Sequence, residues 1–306
     1  MKVSICMITY NHERFISQAI ESVLMQKTNF DYELVIGEDC STDSTREILT
    51  EYQKKYPEKI KLFLNAKNEG ANKNFIRIFS NCNGEYISLL EGDDFWSSPD
   101  KLQKQVEFMD SHRDCSMSFH KAALFYEESP QKMDSVIPSE QFKPFSTVED
   151  LLETNFIPCL SVMYRRDSIP SIPEELTKFW MLDWPLHILV AGSGKIGFIN
   201  ETMAKYRRHE NSITSKTGII PSYCGKIEML TAINEYQNFK YDHIVKATIS
   251  KMYYSLSFAC LDQKSTKDAK KYLKKSLRVK FFNSQVPKTG LLWLFFRIYF
   301  LGFRTT

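Results

Sequence analysis

Asp39 and the adjacent pair Asp93-Asp94 are placed where carboxylates could do chemistry. Asp39 follows an apolar run at 32–37 and Asp93-Asp94 follow another at 86–90, so both sit where a strand gives way to a loop. In open parallel sheets, ligands bind beyond the carboxyl ends of the strands. A single aspartate at such a point is commonly a turn former. The neighbours argue for more: both loops are polar (Cys40-Ser41-Thr42-Asp43 and Gly92-Asp93-Asp94), and adjacent acids repel unless a cation or solvent screens them. Hard oxygen donors on a short loop suit Mg²⁺ or Mn²⁺, which takes part of its shell from a substrate phosphate. The residues alone suggest a metal-dependent site for a phosphorylated ligand.

Other phosphate devices are missing from the sequence. The loop after the first apolar run reads Thr9-Tyr10-Asn11-His12-Glu13, and neither G-x-G-x-x-G nor G-x-x-x-x-G-K-[ST] occurs. That argues against a Rossmann dehydrogenase, a P-loop enzyme and a sugar-phosphate nucleotidyltransferase. Tyr10 is either a stacking face for a base or a rim aromatic packed on its own loop, and spacing does not choose between them.

The elements that must position these residues alternate. Strands are expected at 3–9, 32–37, 60–64 and 86–90, and helices near 15–24, 44–55, 74–81 and 98–112. Ser44-x-x-Glu47 reads as a capping box, and Ser98-Pro99 as an N-cap followed by proline at the first helical position. This βα alternation predicts an α/β fold with a mostly parallel sheet covered by helices on both faces. Residues 127–147 read as a long loop, 146–154 as a short helix, 159–164 and 196–198 as strands, 183–191 as a helix, and 221–282 as helical and Lys-rich.

The chain has 306 residues, and 40 Lys+Arg against 37 Asp+Glu give a formal charge of +3. Residues 264–306 hold eleven Lys/Arg and one acid, a charge of +10, which leaves −7 on the remainder. An acidic body repels nucleic-acid phosphate and excludes that partner. Seven scattered cysteines without a C-x-x-C pair argue against a disulfide framework or zinc site and suggest a reducing compartment. Met1-Lys2-Val3 enters a strand pattern at once, so no signal peptide is expected. No run of about 18 uncharged apolar residues predicts a spanning helix.

Five motifs in order then carry a resemblance: Val3-Ser4-Ile5-Cys6-Met7-Ile8-Thr9-Tyr10-Asn11, Glu38-Asp39-Cys40-Ser41-Thr42-Asp43-Ser44-Thr45, Asn68-x-Gly70-x-x-x-Asn74, Gly84-Glu85-Tyr86-Ile87 and Leu90-Glu91-Gly92-Asp93-Asp94. Over roughly residues 1–215 the chain resembles the family 2 glycosyltransferases of the GT-A fold. The resemblance implies inverting transfer from a nucleotide-diphosphate sugar with Mn²⁺ or Mg²⁺. It places Ile8, Thr9 and Tyr10 at the nucleotide, Asp39 at the base, and Lys73 near the nucleotide. Asp93 would serve the ribose and the metal, and Asp94 the metal. Glu91 stands where the family's metal motif often begins with aspartate. Trp180-Met181-Leu182-Asp183-Trp184 is similar to the segment supplying the catalytic base, which makes Asp183 the base; helix N-capping is its structural alternative. Tyr206-Arg207-Arg208-His209 is similar to the family's Y-R-x-H segment, with Arg207 at the diphosphate and His209 in the metal shell. The remaining histidines (His12, His112, His120, His187, His243) read as structural or surface residues.

The expected organisation is a GT-A domain at 1–220 and a basic helical extension at 221–306, ending in an apolar tail at 288–306. Residues 290–303 carry one charge, Arg297, a stretch too short to span a bilayer and too apolar for water. Together with the basic residues of 264–306 they suit a helix lying on an anionic membrane. The competing reading docks the tail on the chain's own core or in a homodimer interface. The expected activity is transfer of a sugar from a UDP- or dTDP-sugar to a glycan or lipid-linked acceptor in surface polysaccharide assembly, at the cytoplasmic face of the plasma membrane. The rivals are a nucleotide-sugar-binding protein without turnover and a membrane-surface scaffold.

Overall fold

Val3, Ile5 and Met7 face one side of the first strand and Ser4 and Cys6 the other, yet all five are buried. Strands covered on both faces lose the usual in–out alternation. In the computed structural model, which describes residues 1–127, 135–139, 143–209 and 217–301, the elements run β1 (Val3–Thr9), α1 (Ile16–Leu24), β2 (Tyr32–Glu38), α2 (Thr45–Lys55), β3 (Ile60–Leu64), α3 (Ala71–Phe79), β4 (Tyr86–Glu91), β5 (Phe95–Trp96) and α4 (Lys101–Ser111). There follow β6 (Cys115–Tyr126), β7 (Val136–Ile137), β8 (Phe145–Ser146), α5 (Val148–Glu153), β9 (Met163–Arg165), α6 (Asp183–Ala191) and β10 (Lys195–Arg208). Helices α7 (Ile219–Tyr236), α8 (Asp242–Asp262), α9 (Thr266–Val279) and α10 (Lys288–Phe296) complete the described chain.

One sheet runs in the order β3-β2-β1-β4-β9-β6-β10-β5. Its first four strands are parallel, β9 is antiparallel to both its neighbours, and β6 pairs parallel with β10. The α/β expectation holds, with a mixed rather than wholly parallel sheet. Helix α1 buries Ile16, Ala19, Ile20 and Val23 completely. Each of its large aliphatic side chains contributes roughly 1.5–3 kcal/mol by leaving water. The chain divides into two compact units, Met1–Val148 with Phe156–Glu210, and Glu149–Asn155 with Asn211–Thr306. The second has its own core of Tyr254, Cys260, Ala269, Leu273, Val286, Leu294 and Ile298.

Local expectations needed correction where side chains took other partners. The Ser44 capping box does not form; Asp43 Oδ1 instead accepts from the Thr45 backbone N–H at 3.0 Å. Helix α4 starts at Lys101, because Pro99 and Asp100 form a turn before it. Within 127–147 the short strands β7 and β8 pair with β6 and β10. Residues Cys159–Ser161 form a 3₁₀ turn that precedes β9. The strand expected at 196–198 is 14 residues long, and its register shifts between Ile199 and Thr202, a bulge that interrupts the hydrophobic pattern.

Candidate active site

The end of β1 lies between the two acidic loops and is bonded to both. Thr9 O accepts from the Asp39 N–H at 3.1 Å, and Ile8 O accepts from the Gly92 N–H at 3.1 Å. Asn11 and Cys40 adopt left-handed backbone at φ 55° and 59°, which turns the chain sharply off β1 and β2. Side chains then join the two turns: Asn11 N–H donates to Ser41 Oγ at 3.0 Å, and Thr42 N–H to Asn11 Oδ1 at 2.8 Å. Tyr10 projects beside them and is 41% exposed.

Asp39 is 2% exposed and held by its own chain. Oδ1 accepts from Asn65 Nδ2 at 2.7 Å and Glu69 N–H at 2.8 Å, and Oδ2 from Gly70 N–H at 2.9 Å. Three of about four acceptor positions are thus occupied, and one is left for an incoming donor. Gly70, at φ 89°, makes the turn that brings these N–H groups round, and so opens α3 against Asp39. Asn74, the last residue of that motif, is buried and donates to Gly37 O at 2.8 Å, tying α3 to β2. Lys73 lies on the first turn of α3 with its side chain exposed.

The second acidic loop is denser. Carboxylate oxygens of Glu91, Asp93 and Asp94 lie within 4.8 Å of one another. Burial, with the charges of Asp93 and Asp183, pushes the Glu91 carboxyl up to about 8. Asp94 is raised well above the usual range by burial and by Asp93 and Glu91. Burial also opposes ionisation of Asp93, but the His209 hydrogen bond and the nearby imidazoles outweigh it and hold that carboxyl below its ordinary range. His209 Nε2 is 3.1 Å from Asp93 Oδ2. Asp94 Oδ1 accepts from the Arg207 N–H at 2.7 Å, and Oδ2 is buried without a hydrogen-bond partner among the described residues. Acids that repel one another into protonation, an orphaned buried oxygen and a neighbouring imidazole fit a divalent cation.

Arg207, expected at the diphosphate, is 3% exposed and lies against this loop. Its guanidinium lies 4.7–5.1 Å from the rings of Phe15, Phe95 and Phe125. Nε donates to Asp93 O at 2.8 Å, and the terminal nitrogens engage Glu127 and Gln18. Backbone and side chain together pin Asp93 and Asp94 to β10. Asp183 is the first residue of α6 and half-buried. Its charge reaches Glu91, Cys159 and His187, so the fold brings it into the field of the acidic loop.

Sequence reasoning missed two features. His12, read as structural or surface, has Nε2 3.9 Å from Asp93 Oδ2. Its place in the same loop as Tyr10 was the available signal. The partners of Arg207 come from α1 and from the end of β6, and no local pattern marks them. His120 and His187, read as structural or surface residues, are fully buried.

Comparisons with known proteins agree with this assembly. The family described as "Glycosyl transferase family 2" matches residues 4–172, more than half of the chain. The uncharacterised protein Rv1520 of Mycobacterium tuberculosis is 39% identical over 211 residues, 69% of this chain and 60% of that protein, so the match spans less than two thirds of that relative. TuaG of Bacillus subtilis, a putative teichuronic acid biosynthesis glycosyltransferase, is 34% identical over 215 residues, covering 70% of this chain and 81% of TuaG. Among solved structures, residues 1–349 of Staphylococcus aureus TarS with UDP-GlcNAc superimpose at a TM-score of 0.64 with 18% identity, covering 92% of this chain and 84% of that one. That likeness shows the shared GT-A fold. The strand-end acids, the matched family residues and the fold together place the chain in glycosyl transferase family 2.

Proposed function

We propose that the chain transfers a sugar from a UDP- or dTDP-sugar to a hydroxyl of a glycan or lipid-linked acceptor, with inversion, in surface polysaccharide assembly. The observation that carries this reading is the acidic loop of Glu91, Asp93 and Asp94 set in the field of Asp183. Inversion requires one carboxylate to take the acceptor hydroxyl's proton while that oxygen attacks the anomeric carbon opposite the leaving diphosphate, and Asp183 has that role. Asp39 offers its remaining acceptor position to a base N–H, Tyr10 offers a stacking face, and Ile8 and Thr9 form the floor at the end of β1. Lys73 adds positive charge on the nucleotide side. Asp93, Asp94 and His209 would hold Mn²⁺ or Mg²⁺, which when bound stabilises charge on the departing diphosphate. Arg207 keeps Asp93 and Asp94 aimed by holding their backbone and side chain.

The acceptor side of the proposal draws on the second unit. No described helix is long and apolar enough to cross a membrane. Exposed Leu292 and Phe295 on α10, together with the charge of +10 over 264–306, support an anionic membrane surface at the cytoplasmic face as the place of work. Relatives with surface-polymer names, such as TuaG, support the pathway.

A thermal-shift screen of nucleotide sugars with Mn²⁺ tests the reading. A UDP- or dTDP-sugar is expected to raise the melting temperature only with the metal, and to be consumed when acceptor is supplied. Metal-dependent binding without any donor consumption would favour the binding protein instead. No shift with any nucleotide sugar would leave the membrane scaffold as the better account.

A further inference from the structure

His12 is fixed on every side except the one facing the acidic loop. Its backbone N–H donates to Thr45 Oγ1 at 2.8 Å, and its carbonyl accepts from Phe15 and Ile16 N–H at 2.9 and 2.8 Å as α1 begins. On the ring, Nδ1 lies 3.1 Å from Thr9 Oγ1. Nε2 makes no hydrogen bond among the described residues, and Asp93 Oδ2 is 3.9 Å from it. The same carboxylate oxygen is 3.1 Å from His209 Nε2. Two imidazoles therefore converge on one oxygen of Asp93, with all three side chains less than one-fifth exposed.

Gly92 makes this approach possible. A Cβ there would fall 2.7 Å from Thr9 Oγ1 and 3.0 Å from His12 Nδ1, so a side chain would push the acidic loop off the histidine. The Thr9 hydroxyl does for His12 what outer-shell groups do for metal-bound histidines generally. An Nδ1–H donated to the Thr9 hydroxyl would fix the tautomer that leaves the Nε2 lone pair free for a metal. Two donors each about 2.1 Å from one ion stand about 3.0 Å apart when adjacent and about 4.2 Å apart when opposite. The separations of 3.1 and 3.9 Å about Asp93 Oδ2 lie within that interval.

We propose that His12 is a further ligand of the divalent cation, joining Asp93 and His209, and that it biases the site toward Mn²⁺ over Mg²⁺. The inference rests on the metal-dependent reading above. Mg²⁺ is a hard ion that prefers oxygen donors and retains water, whereas a transition-metal ion accepts imidazole nitrogen readily. A site with one imidazole tolerates either ion; a second imidazole penalises Mg²⁺.

The test is equilibrium binding of Mn²⁺ to the full chain in the presence of UDP, read from the electron paramagnetic resonance signal of free Mn²⁺, with Mg²⁺ as competitor. His12→Ala is expected to weaken Mn²⁺ binding at least tenfold and Mg²⁺ binding less than threefold, so the preference contracts. His12→Gln retains a polar group beside Thr9 and is expected to show the same contraction should the alanine variant lose its fold by circular dichroism. Unchanged Mn²⁺ affinity in a folded variant, or equal weakening for both ions, overturns the assignment of His12. A wild-type chain that binds no Mn²⁺ with UDP overturns the metal-dependent reading itself, a result distinct from those two.

Discussion

At the scale of single residues, the chemistry depends on burial more than on residue type. Asp39 and Asp94 are equally buried, yet one is surrounded by N–H donors and the other by like charges, which with burial drive Asp94 toward its neutral form. Buried histidines show the same effect. His120 on β6 and His187 on α6 are fully buried, and burial lowers them to about 3 and about 4. Their folded values lie below the ordinary 6.5, so the unfolded chain binds protons that the folded chain refuses. Stability from this source is complete above pH 6.5 and is lost as pH falls toward 4 and 3. Each residue should cost roughly 2 kcal/mol at pH 5 relative to neutral pH. Urea denaturation at pH 7 and pH 5 checks this, with His187→Gln expected to flatten the dependence; a pH-independent midpoint would contradict it. The strand-end positions of Asp39, Asp93 and Asp94 were legible in the sequence because these acids stand next to turn residues, whereas Asp183 was reached only through the family resemblance. The partners of Arg207 were not legible: Glu127 pairs with its charge and Gln18 accepts a hydrogen bond from it, contacts that exist only once β6, β10 and α1 are assembled.

At the scale of elements, the sequence was readable wherever one face is buried and the other wet. Helix α1, which buries Ile16, Ala19, Ile20, Ser22 and Val23, falls within a residue of its expected limits. The long strand β6 was missed and β10 was seen only at 196–198, for two physical reasons. β6 buries Ser116, Ser118 and His120, so polar residues occupy core positions and the apolar pattern fails. β10 is broken by its register shift. Helix α10 departs from one-sided patterning in the opposite way. Leu294 and Ile298 just beyond its end enter the core of the second unit, while Leu292, Trp293 and Phe295 remain exposed. A largely apolar helix that stays wet on one side has no cover on that side among the described residues. Its aromatics carry cations: Lys270 Nζ lies 4.4 Å from the Tyr299 ring, which stacks with Phe295 at 4.5 Å, and the Arg297 guanidinium lies 4.9 Å from the Trp293 ring. An anionic lipid surface satisfies both features. Leu292→Ser with Phe295→Ser should cut co-sedimentation with vesicles containing one-third phosphatidylglycerol at least tenfold, since each side chain is worth about 1.5–3 kcal/mol when buried. Undiminished partition of that variant, or equal binding to neutral vesicles, would contradict the lipid reading.

At the scale of the whole molecule, a formal charge of +3 conceals a division of labour. The excess of basic over acidic residues lies at 264–306, and the acids of the remainder include those of the candidate site. A family of this fold needs negative charge at the strand ends for a cation and tolerates any surface elsewhere, so the sign of the total carries no functional information. Family membership was legible because five short motifs each serve a backbone or acid position that the fold cannot replace. Donor, linkage and acceptor were not legible, because they depend on side chains contributed from many places in the chain. The central claim is that Asp183 removes the acceptor proton in a reaction whose donor is held at the other acids. It is tested most directly by comparing wild type with Asp183→Asn for UDP binding by calorimetry and for sugar transfer with Mn²⁺. The account predicts UDP affinity within about threefold of wild type and transfer reduced at least a hundredfold, the lower range for loss of a general base. Transfer at the wild-type rate in Asp183→Asn would contradict it.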